Sequence, residues 1–423
     1  MSDTIPPRNE GAAHAGTRSP RPPGSGPLDG IRVIDLTSVI MGPYAGQILG
    51  DLGAEVIKVE SPEGDVMRAA GPNRSAGMGH VYLNVNRNKR SVVLDLKDSD
   101  GRDALLRLVE TADVLIYNVR PQAMKRLRLA YEDVRAVNPR IIYAGGFGFG
   151  QDGPYAQRAA FDDLMQAMSG TAALQSISQG TVDGEAAPPR YVPINFCDRV
   201  SGLHMLYAVL AALYARERSG EGQAIEVPMF ETMAAFVLGE HLGGYTFEPR
   251  QGPMGYARIV TPYRRPYRSA DGYISVMPYN DKQWRAFFDA IGSPGTMQDP
   301  RFATQEGRAA NIEAVYAYME QEIAKRPNRE WVELLTRADI AHSPVKSLED
   351  LHEDPHLQAV GFFEPFEHPS EGELRRTKIP TKFSGTPATV RRHAPLLGEH
   401  TEEVLREIGL PEDMVTRLAT RVR

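Results

Sequence analysis

Short apolar runs alternate with amphipathic stretches in the N-terminal part of the chain. Five runs have the length and composition of strands, and they occupy 31–36, 54–60, 91–96, 113–118 and 140–146. Stretches with apolar residues at helical spacing lie between them, most clearly over 101–112 and 121–137. Strands that alternate with helices predict a parallel sheet covered by helices on both faces. We therefore expect an α/β large domain.

A different pattern follows farther along the chain. Residues 199–218 carry apolar side chains at helical spacing and end at Gly220, which predicts one long buried helix; the apolar positions are Val200, Leu203, Leu206, Leu210 and Leu213. Later, the runs RRPYR and YISVMPY flank Ser269 to Gly272, a sequence typical of a hairpin turn, and a helical stretch follows. A smaller α+β domain is indicated there.

These patterns divide the chain into four segments. We predict a disordered tail over 1–27, the first part of a large α/β domain over 28–230, a small α+β domain over 231–335, and a linker with a return to the large domain over 336–423. The tail is rich in Pro, Gly and Ser, and it lacks the apolar core of a signal peptide. The large domain is thus expected to be built from both ends of the chain.

Composition and charge argue against several classes of protein. The 423 residues are 42% apolar and 24% charged, which is typical of soluble globular proteins, and no stretch approaches the roughly 18 to 20 apolar residues that span a bilayer. The net charge of -6 argues against a nucleic-acid partner. Cys197 is the single cysteine, so an intrachain disulfide is impossible and a reducing, cytoplasmic location is expected.

Two short motifs resemble cofactor-binding sequences, but their surroundings argue against a bound dinucleotide or metal. Gly148, Gly150 and Gly153 match the spacing of a dinucleotide fingerprint, yet Pro154 indicates a turn where that fingerprint requires a helix. His352 and His356 are close in sequence, but the proline between them indicates a solvated helix start. We predict no metal site and no tightly bound cofactor.

Cys197 and Asp198 stand together at the start of the predicted long helix. A thiolate would be stabilised at that position, although a small buried side chain is the commoner role of a lone cysteine. Asp198 directly precedes the helical run, so the residues alone favour a helix cap. Capping is compatible with catalysis, because backbone N–H groups and the helix dipole hold a carboxylate in the ionised form that a nucleophile needs.

Basic residues cluster at 87–90 and at 125–128. Each cluster can be a solvated face or an anion site, and the residues alone leave both interpretations open. Both clusters lie near strand ends or helix starts of the α/β region, where anions usually bind.

Five long blocks of the chain form a recognisable set: PLDGIRVIDLTSVIMGPYAGQILGDLGAEVIKVE at 27–60, NRNKRSVVLDLK at 86–97, ADVLIYNVRP at 112–121, FDDLMQAMSG at 161–170 and KFSGTPATVRRHAPLLGEHTEEVLREIGL at 382–410. In this order they resemble the class III CoA-transferase family. The family includes formyl-CoA transferase, carnitine and bile-acid CoA-transferases, and α-methylacyl-CoA racemases. The resemblance implies a Rossmann-like large domain, a small α+β domain and an interlocked homodimer.

The resemblance also implies a set of site residues. Asp198 occupies the place of the family's catalytic aspartate, which forms a mixed anhydride and then an aspartyl-CoA thioester while CoA passes from an acyl-CoA to a carboxylic acid. CoA, the substrate rather than a resident cofactor, is expected to contact Ser38, Val39, Met41, Lys89, Arg90, Asn118, Val119 and Arg126. Its phosphates would give the basic clusters a ligand.

Two other functions stay open at this point. Racemases of the family use a histidine where this chain has Phe161, so racemization lacks one acid/base partner here. A non-catalytic CoA-binding protein would be favoured if ligand could not reach Asp198. Formyl and oxalyl specificity is not expected, because Ser38 and Ile40 replace the histidine and glutamine of formyl-CoA transferases. Our hypothesis for the donor is a small dicarboxylic acyl-CoA such as succinyl-CoA.

Overall fold

A computed structural model of the protein describes residues 26–182 and 184–420. Nearly all of the predicted disordered tail lies outside these residues. The described chain forms two compact units: the first holds 26–145, 205–225 and 379–420, and the second holds 146–204 and 226–378. Residues 146–204, which the sequence assigned to the large domain, group with the second unit.

Within the described residues, the strands form one large sheet and three small ones. The strands are β1 Arg32–Leu36, β2 Glu55–Glu60, β3 Lys89–Val93, β4 Val114–Tyr117, β5 Ile142–Phe147, β6 Thr181–Val182, β7 Glu185–Ala186, β8 Gln223–Pro228, β9 Tyr267–Arg268, β10 Tyr273–Met277, β11 Ala341–Pro344, β12 Phe363–His368 and β13 Gly372–Thr377.

The helices range from single turns to one of 24 residues. They are α1 Met41–Asp51, α2 His80–Val85, α3 Ser99–Glu110, α4 Pro121–Arg126, α5 Tyr131–Val137, α6 Asp162–Met168, α7 Thr171–Gln179, α8 Phe196–Ser219, α9 Met229–His241, α10 Asp281–Ala290, α11 Pro300–Ala303, α12 Gln305–Ala310, α13 Ile312–Ile323, α14 Asn328–Arg337, α15 Leu348–His352, α16 Pro355–Ala359, α17 Thr401–Glu407 and α18 Glu412–Thr420. Short 3-10 helices occupy Val66–Ala69, Gly243–Thr246 and Pro294–Gln298.

The large sheet has the strand order β3-β2-β1-β4-β5-β8. Strands β1 to β5 pair in parallel, with Val33 opposite Val56 on one side and Val114 on the other. Their side chains are almost all buried, because helices cover both faces of a parallel sheet and leave no solvated side. The predicted Rossmann-like α/β architecture is confirmed.

Strand β3 lies two residues earlier than the sequence indicated. It spans Lys89–Val93, whereas the apolar run predicted a strand over 91–96. The strand begins with Lys89 and Arg90, whose side chains are buried in the structure. A hydropathy pattern assigns such basic residues to a loop, so it predicted a later start for the strand. The shift decides which basic residues are buried and which follow the strand.

The C-terminal end of the chain joins the first unit beside β3. The backbone N–H of His400 donates to the carbonyl of Ser91 at 3.0 Å, and Val93 N–H donates to Thr401 Oγ1 at 3.1 Å. α17 then begins at Thr401 and buries Val404 in the core. Both chain ends therefore build this unit, with the described C-terminal segment contributing helices rather than strands of the large sheet.

The core of the second unit includes a cluster of aromatic side chains that α10, α13 and α14 contribute. Phe287 stacks on Trp331 with ring centroids 6.2 Å apart, and Trp331 Nε1 donates to the carbonyl of Ile323 at 2.8 Å. The predicted hairpin at Ser269 is confirmed by the antiparallel pairing of β9 with β10. This cluster gives the second unit a hydrophobic core of its own.

Helix α8 begins at Phe196, three residues before the predicted start. Its buried stripe runs through Cys197, Ser201, Met205 and Val209; of the predicted stripe, Leu213 is buried but Leu203 is exposed. An error in phase of about one residue turns the helix by roughly 100° and exchanges inner and outer side chains. The helix is long and apolar enough to cross a membrane by length and composition alone, a test that core helices of soluble proteins also pass.

Candidate active site

A cavity of about 660 Å³ opens at the carboxyl ends of β1 to β4 in the first unit. Its lining comes from the residues where these strands end: 36–38, 59–66, 94–97, and Val119 with three residues of and just after α4. Ligands of open α/β sheets bind in the crevice outside these strand ends, where loops diverge and helix N-termini converge. We call this cavity the strand-end pocket.

Several residues expected to contact CoA lie at this pocket. Ser38, Val119 and Arg126 line it. Asn118 fixes the shape of the loop beside them, because its Oδ1 accepts from Ser38 N–H at 3.1 Å and its Nδ2 donates to the Ser38 carbonyl at 2.8 Å. Four residues selected from the sequence are thereby brought together at one sheet edge.

Val39 and Met41 are next to Ser38 in the chain but are not among the residues that line the pocket. Val39 has a φ of 72°, in the left-handed region, and its N–H donates to Asp65 Oδ1 at 3.1 Å. Met41 is the first residue of α1 and its side chain is buried. Their predicted contact with CoA stays a prediction.

Lys97 lines the strand-end pocket and was missed by the sequence analysis. It is exposed, as is Arg126, so two cations border the cavity. Four acidic residues also line it: Glu60 and Asp65, each of which is paired with a buried cation, and Glu63 and Asp95. The signal for Lys97 was its place just after an apolar strand, at the edge where anions bind.

The structure corrects the prediction that Lys89 and Arg90 contact CoA. The Lys89 ammonium is fully buried and uses its three N–H donors on Asp35 Oδ2 at 2.8 Å, the carbonyl of Pro43 at 2.9 Å and Asn86 Oδ1 at 2.9 Å. Burial lowers its pKa to about 8, against the opposing attraction of Asp35.

Arg90 faces the opposite side of the sheet and is buried as well. Its guanidinium forms ion pairs with Glu55, Glu403 and Glu407 at 2.8 to 2.9 Å. Lys89 and Arg90 are consecutive residues at the start of β3, so their side chains point to opposite faces of the sheet. Neither side chain reaches the carboxyl end of the strand, where the pocket lies. Both residues tie elements of the first unit together.

Asp198 lies in the first turn of α8, within the second unit, and its side chain is 8% exposed. It is not the cap residue that the sequence favoured, because the helix starts at Phe196. Its backbone N–H donates to Asp162 Oδ1 at 2.9 Å, so a carboxylate from α6 satisfies one unpaired donor of the helix N-terminus. Gln166 Nε2 donates to the other oxygen of Asp162 at 2.7 Å.

The pKa of Asp198 is raised from its ordinary value of 3.8 to about 7. Burial is the largest cause, the negative charge of Asp162 adds to it, and Arg199 opposes it. The expectation that the helix N-terminus holds this carboxylate ionised was wrong, because desolvation and a like charge outweigh the dipole. A carboxylate that titrates near neutrality is a candidate acid, base or nucleophile.

The side chains of Cys197 and Phe161, near Asp198 in the sequence or at the start of α6, are weaker candidates for a catalytic group. Burial raises the pKa of Cys197 to about 12, with Asp162 and Asp198 adding to it, so the thiolate needed for attack is scarce at neutral pH. Phe161, the cap position of α6, is 67% exposed and has no ionisable group. Among the residues that the structure describes, no group of three His, Cys, Asp or Glu could hold a metal ion.

Comparisons with known proteins agree on one family. The CoA-transferase family III model matches residues 28–401. The chain is 36% identical over 403 residues to succinate--glutarate CoA-transferase of Agrobacterium fabrum, covering 92% of this chain and 98% of that protein. It is 36% identical over 395 residues to acetyl-CoA:oxalate CoA-transferase of Acetobacter aceti, covering 92% and 97%.

Solved structures give the same result. A CAIB/BAIF family protein from Brucella suis superposes with a TM-score of 0.74 at 32% identity, over 90% of this chain and 99% of that one. The Rv3272 protein of Mycobacterium tuberculosis superposes with a TM-score of 0.76 at 31% identity, over 90% and 99%. The chain belongs to CoA-transferase family III and is a CoA-transferase whose substrates are CoA thioesters.

Proposed function

We propose that this enzyme transfers CoA between an acyl-CoA and a carboxylic acid through covalent intermediates on Asp198. One observation carries the proposal: Asp198 is a buried carboxylate with a pKa near 7, at the start of the long helix α8. Burial removes the water that would hydrolyse an anhydride, and a raised pKa makes the ionised form more basic and a better nucleophile.

The reaction proceeds through four exchanges at carbonyl carbons. The Asp198 carboxylate attacks the thioester carbonyl, and the bond to sulfur breaks to give a mixed anhydride and CoA thiolate. The thiolate attacks the Asp198 carbonyl and releases the donor acid as a carboxylate. The acceptor carboxylate attacks the aspartyl-CoA thioester to form a second anhydride, and CoA thiolate then takes the acceptor acyl group. Asp198 is regenerated, and thioester energy is conserved without ATP.

The strand-end pocket is the proposed site of the CoA nucleotide. Its location follows the rule for nucleotide binding in open parallel sheets, and Lys97 and Arg126 provide cations for phosphate groups. Ser38 and Val119 line the same pocket, and Asn118 holds the backbone of Ser38 in place. CoA is a substrate here, and the proposal includes no resident cofactor.

We further propose that the acyl group and the acceptor are short dicarboxylic acids, with succinyl-CoA as donor. The name of one relative supports this class, since it refers to succinate and glutarate. No observation favours racemization, because Phe161 provides no proton acceptor at the position where racemases of the family have histidine.

A homodimer is also proposed. On α6 of the second unit, Leu164 and Met168 are exposed at one helical face, and Phe161 and Phe236 are more than half exposed. Large apolar side chains concentrated on one surface are typical of subunit interfaces. Light scattering coupled to size-exclusion chromatography tests this: a dimer mass is expected, and a monomer at micromolar concentration contradicts it.

Trapping the intermediate tests the mechanism. Enzyme incubated with succinyl-CoA alone is digested and analysed by mass spectrometry for a CoA adduct on Asp198; hydroxylamine should convert this adduct to a hydroxamate. The Asp198→Asn variant should lack both and lose exchange between succinyl-CoA and labelled acids. Exchange at the wild-type rate in that variant, or an adduct on another residue, would refute Asp198 as the nucleophile.

A further inference from the structure

The loop between β1 and α1 has its backbone held by charged side chains beneath it. Thr37 N–H donates to Asp35 Oδ1 at 2.9 Å, and the Thr37 carbonyl accepts from Lys58 Nζ at 2.7 Å. The backbone N–H and the carbonyl of Thr37 are thus both bonded to buried charged side chains. Loop backbones on protein surfaces usually turn these groups to water, so this arrangement is specific to the position.

The next two residues are held in the same way. Asn118 binds both backbone groups of Ser38, and Asp65 Oδ1 accepts from Val39 N–H at 3.1 Å. The second oxygen of Asp65 accepts from Lys58 Nζ at 2.9 Å, which connects the two ends of the loop through one ion pair. We refer to residues 37–39, between β1 and α1, as the 37–39 loop.

The 37–39 loop is strained. Val39 has a φ of 72°, and a β-branched residue rarely adopts the left-handed region because its Cβ substituents crowd the backbone. A conformation of this kind persists only where the surroundings over-determine it, and such positions cluster at ligand sites.

The supporting ions are themselves costly to bury. Lys58 and Asp35 are fully buried and Asp65 is 4% exposed, with Lys89 bound to Asp35 beside them. Gly46 of α1 permits this arrangement, since a Cβ there would lie 2.9 Å from Asp35 Oδ2. Buried ion pairs often stabilise a fold no better than apolar side chains of similar size, so stability alone does not account for them.

We propose that Lys58 and Asp65 are positioning residues that hold the 37–39 loop in the one backbone conformation that forms a wall of the acyl-CoA pocket. Three observations carry this: Thr37, Ser38 and Asp65 line the strand-end pocket, the loop backbone is bound by buried side chains, and Val39 is strained. The inference rests on the proposed function, which assigns that pocket to CoA.

The double variant Lys58→Met/Asp65→Asn tests the proposal. It removes both charges together, so neither is left buried alone, and the Asn oxygen can still accept from Val39 N–H. The loop loses its bond at the Thr37 carbonyl. If it then populates the binding conformation about one tenth of the time, the KM for acyl-CoA rises about tenfold. The KM for the acceptor acid and kcat at saturating acyl-CoA should change by less than about twofold.

A matched control separates positioning from general stability. Arg216 and Asp113 form another ion pair in the same unit, 3.0 Å apart, in which Arg216 is buried and Asp113 is partly buried, and neither residue lines the pocket. Arg216→Met/Asp113→Asn should lower the melting temperature while leaving the KM for acyl-CoA at the wild-type value. A rise in KM that follows loss of stability in both double variants would overturn the proposal.

A second variant keeps the test decisive if the first double variant fails to fold. Val39→Gly relieves the strain without touching the ions, so its melting temperature should equal or exceed that of the wild type, while the looser loop raises the KM for acyl-CoA several-fold. A wild-type KM in any folded loop variant overturns the inference. The proposed CoA site fails separately, if Lys97→Ala and Arg126→Ala leave CoA affinity measured by calorimetry unchanged.

Discussion

Replacing the proposed nucleophile should make the protein more stable at alkaline pH. The pKa of Asp198 is about 7 in the folded chain, against an ordinary value of 3.8. The folded state therefore favours the protonated carboxyl. The contribution of Asp198 to the free energy of unfolding is therefore most favourable below pH 3.8, where the carboxyl is protonated in both states. It is lost as the pH rises from 3.8 to about 7, because the carboxyl ionises in the unfolded chain before it ionises in the folded one.

The magnitude follows from the same values. A difference of about three pH units, at about 1.36 kcal/mol for each unit, corresponds to about 4 kcal/mol at pH 8. Asp198→Asn keeps the shape of the side chain and the backbone bond to Asp162, and removes the ionisable group. We expect the variant to exceed the wild type by about 2 to 4 kcal/mol at pH 8, since its amide must also be desolvated.

Urea unfolding at a fixed protein concentration measures this difference at pH 5, 6, 7 and 8. The gap between Asp198→Asn and wild type should be small at pH 5, widen through pH 7 and level off above it. Asp163→Asn is the matched control for removing a carboxylate from the same region, because Asp163 is next to Asp162 but exposed. A wild type more stable than Asp198→Asn at pH 8 would refute the argument that the fold destabilises this charge.

Three further predictions concern the rate, the pocket and the core. The kcat/KM for acyl-CoA should fall on the acid side of about pH 7, as Asp198 protonates, and Asp162→Asn should move that limb to lower pH by removing the like charge. Lys97→Ala and Arg126→Ala should each raise the KM for acyl-CoA about tenfold, with a smaller effect at high salt, as charge-assisted bonds to phosphate predict; unchanged steady-state kinetics would contradict this. Phe287→Ala should destabilise the second unit by about 3 to 5 kcal/mol, measured by calorimetry, because its ring is fully buried against Trp331.

Local pattern predicted the elements of the first unit but not their exact bounds. Strands β1, β2, β4 and β5 were recognisable because each has a short core of apolar residues that is buried on both faces of the sheet. β3 was misplaced because it begins with two basic residues, Lys89 and Arg90. Their burial depends on Asp35 and on Glu55, Glu403 and Glu407, which come from distant parts of the chain, so a local window does not detect it.

The candidate site shows the same division. Asp198 could be selected from the sequence, because it directly precedes the predicted long helix, at the place that the family resemblance assigns to the catalytic aspartate. Its pKa could not, since the sign depends on desolvation and on Asp162, 36 residues away. The sequence indicated an ionised carboxylate stabilised by the helix, and the tertiary surroundings reversed that expectation.

The sequence by itself determined the fold class, because alternating strands and helices follow from hydrophobic periodicity. It also determined the family and the residue proposed for catalysis, because long blocks of the chain resemble the class III CoA-transferase family. Only the tertiary structure decided that Lys97 borders the pocket while Lys89 is buried. It also decided that Val39 adopts a strained backbone conformation in a loop held by Lys58 and Asp65. Charges in a protein interior take their partners and their solvation from residues that folding alone brings together.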